Sequence, residues 1–251
     1  MISLGKTMAA TRGGLVAGWT VACIAAMETR QRLSACGVLG SDSSPLVKAW
    51  ARGILDVCGV SLRAGGADIL PPPKDHARLV VANHRSPLDI PVLLSLVGGT
   101  FLSRGDIEHW PVLGRGARLL GTVFVDRDDT RNRASAIRRV HRVLRDGATV
   151  SVFPEGTTHA GDDVRSFHAG IFASTRGLPV EILPVGLTYD CGTEFTEDSL
   201  ADYASRIGAR RKTKVCAVVG TPFLANEPAR VIAARAHAEV QELVALARAR
   251  H

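Results

Sequence analysis

His84 and Asp89 are the residues whose types and spacing are best suited to chemistry. They lie in the run Val81-Ala82-Asn83-His84-Arg85-Ser86-Pro87-Leu88-Asp89, directly after an apolar, β-branched stretch. An imidazole with one nitrogen held by a carboxylate offers the other as a base of defined tautomer near neutral pH. Five positions apart on a continuous helix, the two side chains would point about 140° away from each other, so a contact requires a break between them. The run contains one. Ser86 is a preferred N-cap, Pro87 suits the first helical position, and Asp89 stands where a capping box puts its acid. His84 is then expected in the loop ahead of the helix, within reach of an Asp in the first turn. The same residues also read as no more than a capped helix start beside a loop histidine, the commoner meaning of so short a pattern. Ser86 is not expected to be a nucleophile, because no Gly-x-Ser-x-Gly surrounds it and capping is the simpler use of its hydroxyl.

Three further segments add chemistry. Gly121-Thr122-Val123-Phe124-Val125-Asp126-Arg127 reads as a strand whose end presents Arg127, a planar fork suited to an anionic oxygen. In Val152-Phe153-Pro154-Glu155-Gly156-Thr157-Thr158 an apolar strand stops at Pro, and the turn after it offers a carboxylate, hydroxyls and backbone N–H groups to a cleft. Ile182-Leu183-Pro184-Val185-Gly186-Leu187 is apolar throughout and reads as a buried strand with no functional content of its own.

These segments need a frame to hold them. After a Pro71-Pro72-Pro73 break, strand patterns at 79–82, 122–125, 149–153, 182–187 and 215–220 alternate with helical patterns at 87–97, 130–145 and 167–176, the α/β signature. Gly147 is placed to end the second helix, and a closing helix is expected over 228–250, opened by Pro228. The first 60 residues read differently. An uncharged run of fifteen residues lies between Arg12 and Glu28. That is short of the ~20 a span normally needs, so an interfacial or re-entrant anchor, a buried helix and a secretory h-region all stay open. Leu46, Trp50, Ile54 and Val57 fall on one helical face with Lys48 and Arg52 opposite, an amphipathic helix suited either to the core or to a membrane surface. The expected division is residues 1–60 as membrane-association helices and 61–251 as the catalytic domain.

Composition narrows the partners. A chain of 251 residues can bury roughly 70–75% of its unfolded surface, so it needs neither disulfide nor structural metal to be stable. Five scattered cysteines with no Cys-x-x-Cys argue against a disulfide scaffold or a zinc site, and no metal ligands are expected. The net charge of +7 suits an anionic partner. Nucleic acid is disfavoured, because two Tyr, three Trp and seven Phe supply few stacking platforms and no basic-aromatic pattern.

In order and spacing the four blocks resemble the glycerolipid acyltransferase family, whose members include 1-acylglycerol-3-phosphate acyltransferases. The similarity runs over 79–223 and includes Arg104 ahead of Trp110-Pro111-Val112-Leu113-Gly114, Phe167-x2-Gly170-x-Phe172, and Gly220-Thr221-Pro222-Phe223. The resemblance implies a mixed sheet flanked by helices, with a membrane-associated N-terminal segment. His84 would be the general base and Asp89 its orienting carboxylate, while Arg127, Glu155, Gly156, Thr157 and Arg104 would bind substrate. No cofactor is implied. The donor would be acyl-CoA or acyl-carrier protein, the acceptor a lysolipid at the cytoplasmic face of the inner membrane, and the oligomeric state is unconstrained. Lysophosphatidate is the expected acceptor. Two departures bear on that choice: Thr158 stands where many members carry Arg, and His168 where a Lys is common. A Glu-Gly-Thr-Thr version resembles lyso-ornithine-lipid acyltransferases, which keeps lyso-ornithine lipid, or another lysophospholipid, as the alternative acceptor. The basic run Arg206, Arg210, Arg211 and Lys212 is a further source of positive charge.

Overall fold

The computed structural model describes residues 4–36, 44–68, 75–109, 112–119, 121–125, 130–196 and 199–251. Two helices come first, α1 (Leu4–Ala35) and α2 (Ser44–Val57), followed by strand β1 (Val60–Gly66). Then come β2 (Ala77–Ala82), α3 (Asp89–Val97), β3 (Thr100–Arg104), a 3-10 turn at Gly105–His109 and α4 (Leu113–Leu119). The middle of the chain holds β4 (Val123–Val125), α5 (Thr130–Arg145) and β5 (Thr149–Val152), with Gly147 at positive φ closing α5 as its sequence position suggests. A 3-10 helix (Ala169–Thr175), β6 (Val180–Tyr189), α6 (Leu200–Gly208), β7 (Thr213–Val219), β8 (Phe223–Leu224) and α7 (Ala229–Ala249) complete the chain.

The strands form one mixed sheet in the order β1-β7-β6-β2-β5-β3-β4, with β8 against β6. Strands β6, β2, β5, β3 and β4 run parallel, while β7 is antiparallel to β6 and carries β1 beside it. A strand covered on both faces needs apolar residues at every position, and β2 and β6 are buried throughout. Val80 and Ala82 of β2 face Val47, Ala51, Val92 and Leu93 of α2 and α3. Leu79 and Val81 face Val140, Leu144, Ile232 and Ala236 of α5 and α7 on the other side. Each such fully buried Val or Leu is worth about 1.5–3 kcal/mol, which ties the site-bearing strands to a rigid support. At Gly186 the approach is closest: a Cβ there would lie 2.4 Å from Leu243 C and Val244 N, so α7 rests directly on β6.

Several elements differ from the expectation. β1 and β3 carry Gly, Arg and Ser among their apolar residues and so lack a strand-like run, while α4 and α6 are only seven and nine residues long. The segment expected as a helix at 167–176 is a 3-10 helix, because Ser174 and Thr175 turn their hydroxyls onto Ile171 O and Phe172 O and tighten the turn. The Pro71-Pro72-Pro73 break lies outside the described residues.

Helix α1 is longer than the apolar run at its centre. Its 32 residues span about 48 Å, and it is the one described helix long and apolar enough to cross a membrane. It packs against α2, α4 and α6 and buries Thr20, Cys23, Ile24 and Met27. Trp19 Nε1 donates to Trp50 O at 3.0 Å, Trp50 Nε1 donates to Thr20 Oγ1 at 3.1 Å, and Arg12 Nη1 donates to Gly208 O at 3.2 Å. Leu15, Val21 and Leu33 stay exposed on its outer side.

Candidate active site

β2 and β5 are neighbours in register, Val81 opposite Val152, so the chain leaves both strands at the same level and Asn83-His84 emerges beside Phe153-Pro154-Glu155. On the other side of β2, β6 continues four residues past the Ala82–Val185 pair, as far as Tyr189. The fully buried Asn83 amide bridges the divergence. Its Nδ2 donates to Leu187 O at 2.9 Å and its Oδ1 accepts from Leu187 N at 2.8 Å, a side chain taking the place of a ladder partner.

His84 follows in the loop. Its Nδ1 lies 2.7 Å from Asp89 Oδ2. Facing a carboxylate, Nδ1 carries the proton and donates, which leaves Nε2 with a lone pair. The ring is stacked on Phe153, with centroids 4.1 Å apart and planes 7° from parallel, and its side chain keeps 16% exposure. Asp89 is fully buried. Its Oδ2 also accepts the N–H groups of Arg85 (2.7 Å) and Ser86 (2.9 Å), and its Oδ1 accepts the Tyr189 hydroxyl at 2.5 Å. Ser86 Oγ accepts from Leu88 N at 3.0 Å, so Ser86 closes a turn just ahead of the helix instead of capping it as its sequence position suggests, and the regular helix starts at Asp89 with Leu88 as its N-cap. The break that lets His84 meet Asp89 is thus the helix start itself. Burial first, and then the Asp89 charge, push the Tyr189 phenol well above its ordinary range, so it remains the donor of its hydrogen bond. Burial likewise raises Tyr203, which packs nearby. Nothing local in the sequence marks Tyr189, which lies 100 positions from its partner.

Glu155 was expected to face a cleft. Its carboxylate is instead turned inward and buried, with Oε2 accepting His84 N at 2.6 Å and Arg85 Nη1 at 3.3 Å, and Oε1 accepting Arg165 N at 2.9 Å. Arg85, an unusually buried arginine, also donates to His84 O at 3.1 Å and Asp163 O at 3.1 Å. His159 Nε2 donates to the same Asp163 O at 2.8 Å. Asn83, Arg85, Phe153 and His159 were not singled out from sequence. A buried Arg two residues after Asn83 carries no local signature that distinguishes it from a solvated one.

The remaining expected residues spread around this centre. Gly156, at φ +81, turns the chain after Glu155, and a Cβ there would stand 3.2 Å from His168 Cδ2. Thr157 is exposed, Thr158 half-buried and His168 exposed. Arg104 ends β3, paired with Val125. Arg127 lies outside the described residues, as do Trp110 and Pro111. Of the basic run, Arg206 is spent on Gly192 O and Glu194 O, and the Arg210 and Arg211 carbonyls receive Arg12.

A cavity of about 690 Å³ opens next to Pro87 and Leu88, two of the four residues between His84 and Asp89. It runs between α1, α2, α3 and α6, and its wall is almost wholly apolar, with Ile24, Met27, Leu94, Phe101 and Ile207 among its residues. Its size lies within the roughly 300–1,000 Å³ of small-molecule sites.

The Acyltransferase family model matches residues 64–188, a span that includes β2, the His84 loop, β5 and β6. The chain belongs to the acyltransferase family. Within that family it is similar to a 1-acyl-sn-glycerol-3-phosphate acyltransferase of Neisseria meningitidis serogroup B, 34% identical over 155 residues, which are 60% of this chain and 59% of that protein. It is similar too to a lyso-ornithine lipid O-acyltransferase of Pseudomonas aeruginosa, 39% identical over 111 residues, 44% of this chain and 43% of that one. The chain therefore spans about three fifths of the first relative's length and less than half of the second's. Its fold matches the crystal structure of the 1-acyl-sn-glycerophosphate acyltransferase PlsC from Thermotoga maritima, with a TM-score of 0.60 at 24% identity, over 94% of this chain and 97% of that one.

Proposed function

We propose that this acyltransferase-family protein moves a fatty acyl group from an acyl-CoA or acyl-carrier-protein thioester to the hydroxyl of a lysolipid. The acceptor is 1-acylglycerol-3-phosphate and the product phosphatidate. The observation that carries the reading is the 2.7 Å contact of His84 Nδ1 with the buried Asp89, which leaves Nε2 as a base on a loop whose Pro87 and Leu88 line an apolar cavity. Nε2 takes the proton of the acceptor hydroxyl as that oxygen attacks the thioester carbonyl. The new C–O bond forms, the C–S bond breaks, and the proton on the imidazolium goes to the departing thiolate, so His84 ends as it began. Asp89 holds the ring in the tautomer that makes this possible and offsets the charge it gains. The thioester is reactive enough that no covalent enzyme intermediate is needed. The cavity beside Leu88 holds the acyl chain, and Arg127 and Arg104 bind the acceptor's phosphate. With Leu15, Val21 and Leu33 exposed, α1 lies against or in the bilayer, which brings the lysolipid to the site at the cytoplasmic face where soluble donors arrive.

Thr158 favours a second acceptor. A neutral residue in place of the Arg common there removes one cation from the expected phosphate site, which suits a lyso-ornithine lipid, and relatives of that name support the same reading.

The test is transfer from labelled acyl-CoA and acyl-carrier protein to each acceptor, with His84→Ala in parallel. Product with lysophosphatidate and a loss of about 10²–10⁴-fold in the variant are expected. Product with lyso-ornithine lipid alone moves the acceptor. A fully active His84→Ala, or no transfer to either acceptor, overturns the reading.

A further inference from the structure

We infer that Glu155 is a positioning residue that aims His84 through its main chain, and that it does not meet the acceptor. The inference rests on His84 being the base, and it replaces the substrate-binding role that family resemblance implies for this Glu.

Both carboxylate oxygens of Glu155 are used up inside the protein. Oε2 takes the His84 N–H at 2.6 Å, the shorter of its contacts, and Oε1 takes the Arg165 N–H at 2.9 Å. The guanidinium of Arg85 spans both oxygens, at 3.3 and 3.4 Å, and His159 Nε2 lies 3.4 Å from Oε1. The Glu155 side chain has no exposed surface, and that of Arg85 has 2%. A group so enclosed has nothing left for a ligand arriving from solvent.

The enclosure converges on one residue. His84 sits beyond the end of β2, where no strand partner satisfies its backbone. Glu155 accepts from its N–H, and Arg85 Nη1, itself paired with Glu155, donates to its C=O. The ring then has only its own torsions to settle, and these are set from both sides by Phe153, two residues before Glu155, and by Asp89. The far end of Arg85 is pinned as well, because Asp163 O receives both Arg85 Nη2 and His159 Nε2. Burying an ion pair costs desolvation that its Coulomb attraction does not reliably return, so a buried pair is poor evidence of stabilisation alone. What this pair accomplishes is fixing a backbone that carries a base. A displacement of about 1 Å in a reacting group is enough to lose about 100-fold in rate.

The roles separate in Glu155→Gln. This variant keeps the size but puts an amide NH₂ among donors, and it is compared with the parent, His84→Ala and Glu155→Asp. Turnover and KM for the acceptor are measured with whichever lysolipid the parent uses. The Nδ1–H of His84 is followed as a downfield proton resonance of the substrate-free protein, assigned by its absence from His84→Ala. We expect turnover to fall about 100-fold with KM for the acceptor within twofold, the resonance to shift or broaden, and Glu155→Asp to recover part of both. A tenfold rise in KM with turnover near the parent's and the resonance unmoved would mean that Glu155 touches the acceptor, and would overturn the inference. So would a variant with parental turnover and resonance. Should Glu155→Gln fail to fold because Arg85 is left as a buried unpaired charge, the double variant Arg85→Gln, Glu155→Gln removes both charges and the same two readouts decide. The resonance requires no reaction, so a parent without transferase activity would sink the proposed function while leaving this inference to be judged on the spectrum.

Discussion

The two sides of the site are built in opposite ways. On the sheet side, Asn83, His84, Arg85, Asp89, Glu155 and Tyr189 form a polar cluster in which Asp89 alone receives four hydrogen bonds. On the helical side, the cavity between α1, α2, α3 and α6 is bounded by small and apolar residues that meet through van der Waals contact, such as Ala9 against Gly208 and Ile24 near Gly116. A hydrogen-bonded cluster has one low-energy arrangement, whereas an apolar wall accepts different fillings at modest cost. Under the proposed function the contrast divides the labour: the first side sets whether acyl transfer happens, the second which acyl chain is carried.

That division can be broken most severely at Asp89. Asp89→Asn keeps the shape but removes the charge and presents an amide that can reverse the tautomer of His84, and turnover is expected to fall by up to about 10⁴-fold with the order of preference among acyl chains unchanged. Rates across a series of donors of increasing chain length measure both quantities, and a changed preference would show that the two sides are not separable. Gly116→Leu makes the converse test. A Cβ at Gly116 would already stand 3.5 Å from Ile24 Cδ1, so a leucine side chain fills part of the cavity. Long-chain donors should then lose roughly 10–100-fold in kcat/KM while short ones keep theirs, since each methylene displaced from an apolar pocket is worth about 1–3 kcal/mol. Equal losses at all lengths would place the acyl chain elsewhere.

The smallest effect belongs to an ion pair outside both sides. Arg248 grips Asp162 with two bonds, Nε to Oδ2 at 2.6 Å and Nη2 to Oδ1 at 2.7 Å, while its Nη1 donates to Tyr189 O at the end of β6. The hydrogen bond from Arg248 holds the Asp162 carboxyl below its ordinary range. A carboxyl lowered in the folded state stabilises it fully above the unfolded value of about 3.9 and loses that contribution as pH falls through the folded value. Because both side chains are about two-fifths exposed, Asp162→Asn should cost less than about 1 kcal/mol at neutral pH, and the gap from the parent should close in acid and shrink in high salt. Urea melts from pH 3 to pH 7 test this, and a gap that widens in acid would contradict it.

Local chemistry was legible in the sequence, and long-range chemistry was not. The Ser86-Pro87-Leu88-Asp89 start announced a helix that would bring Asp89 back to His84, because helix starts are set within one turn. The apolar runs of β2, β5, β6 and β7 were readable for the same reason, since burial on both faces leaves an unbroken hydrophobic stretch. Glu155 was correctly placed at a strand end, but the way it faces depends on β5 lying beside β2, a pairing that no local pattern encodes. Tyr189 and Arg85 escaped notice because a buried Tyr or Arg is recognised by its partners and not by its neighbours in sequence. β1 and β3 were missed because strands with Arg, Ser and Gly lack a clean period.

The Asn83 amide has one more consequence. Leu187 N–H sits within a central strand, yet the acceptor that protects it is a side chain of the histidine loop. Its deuterium exchange therefore times the excursions of that loop, while its neighbours along β6, protected by main-chain partners, time the parting of the strands. A single amide thus acts as a clock for the loop inside a sheet that itself stays shut.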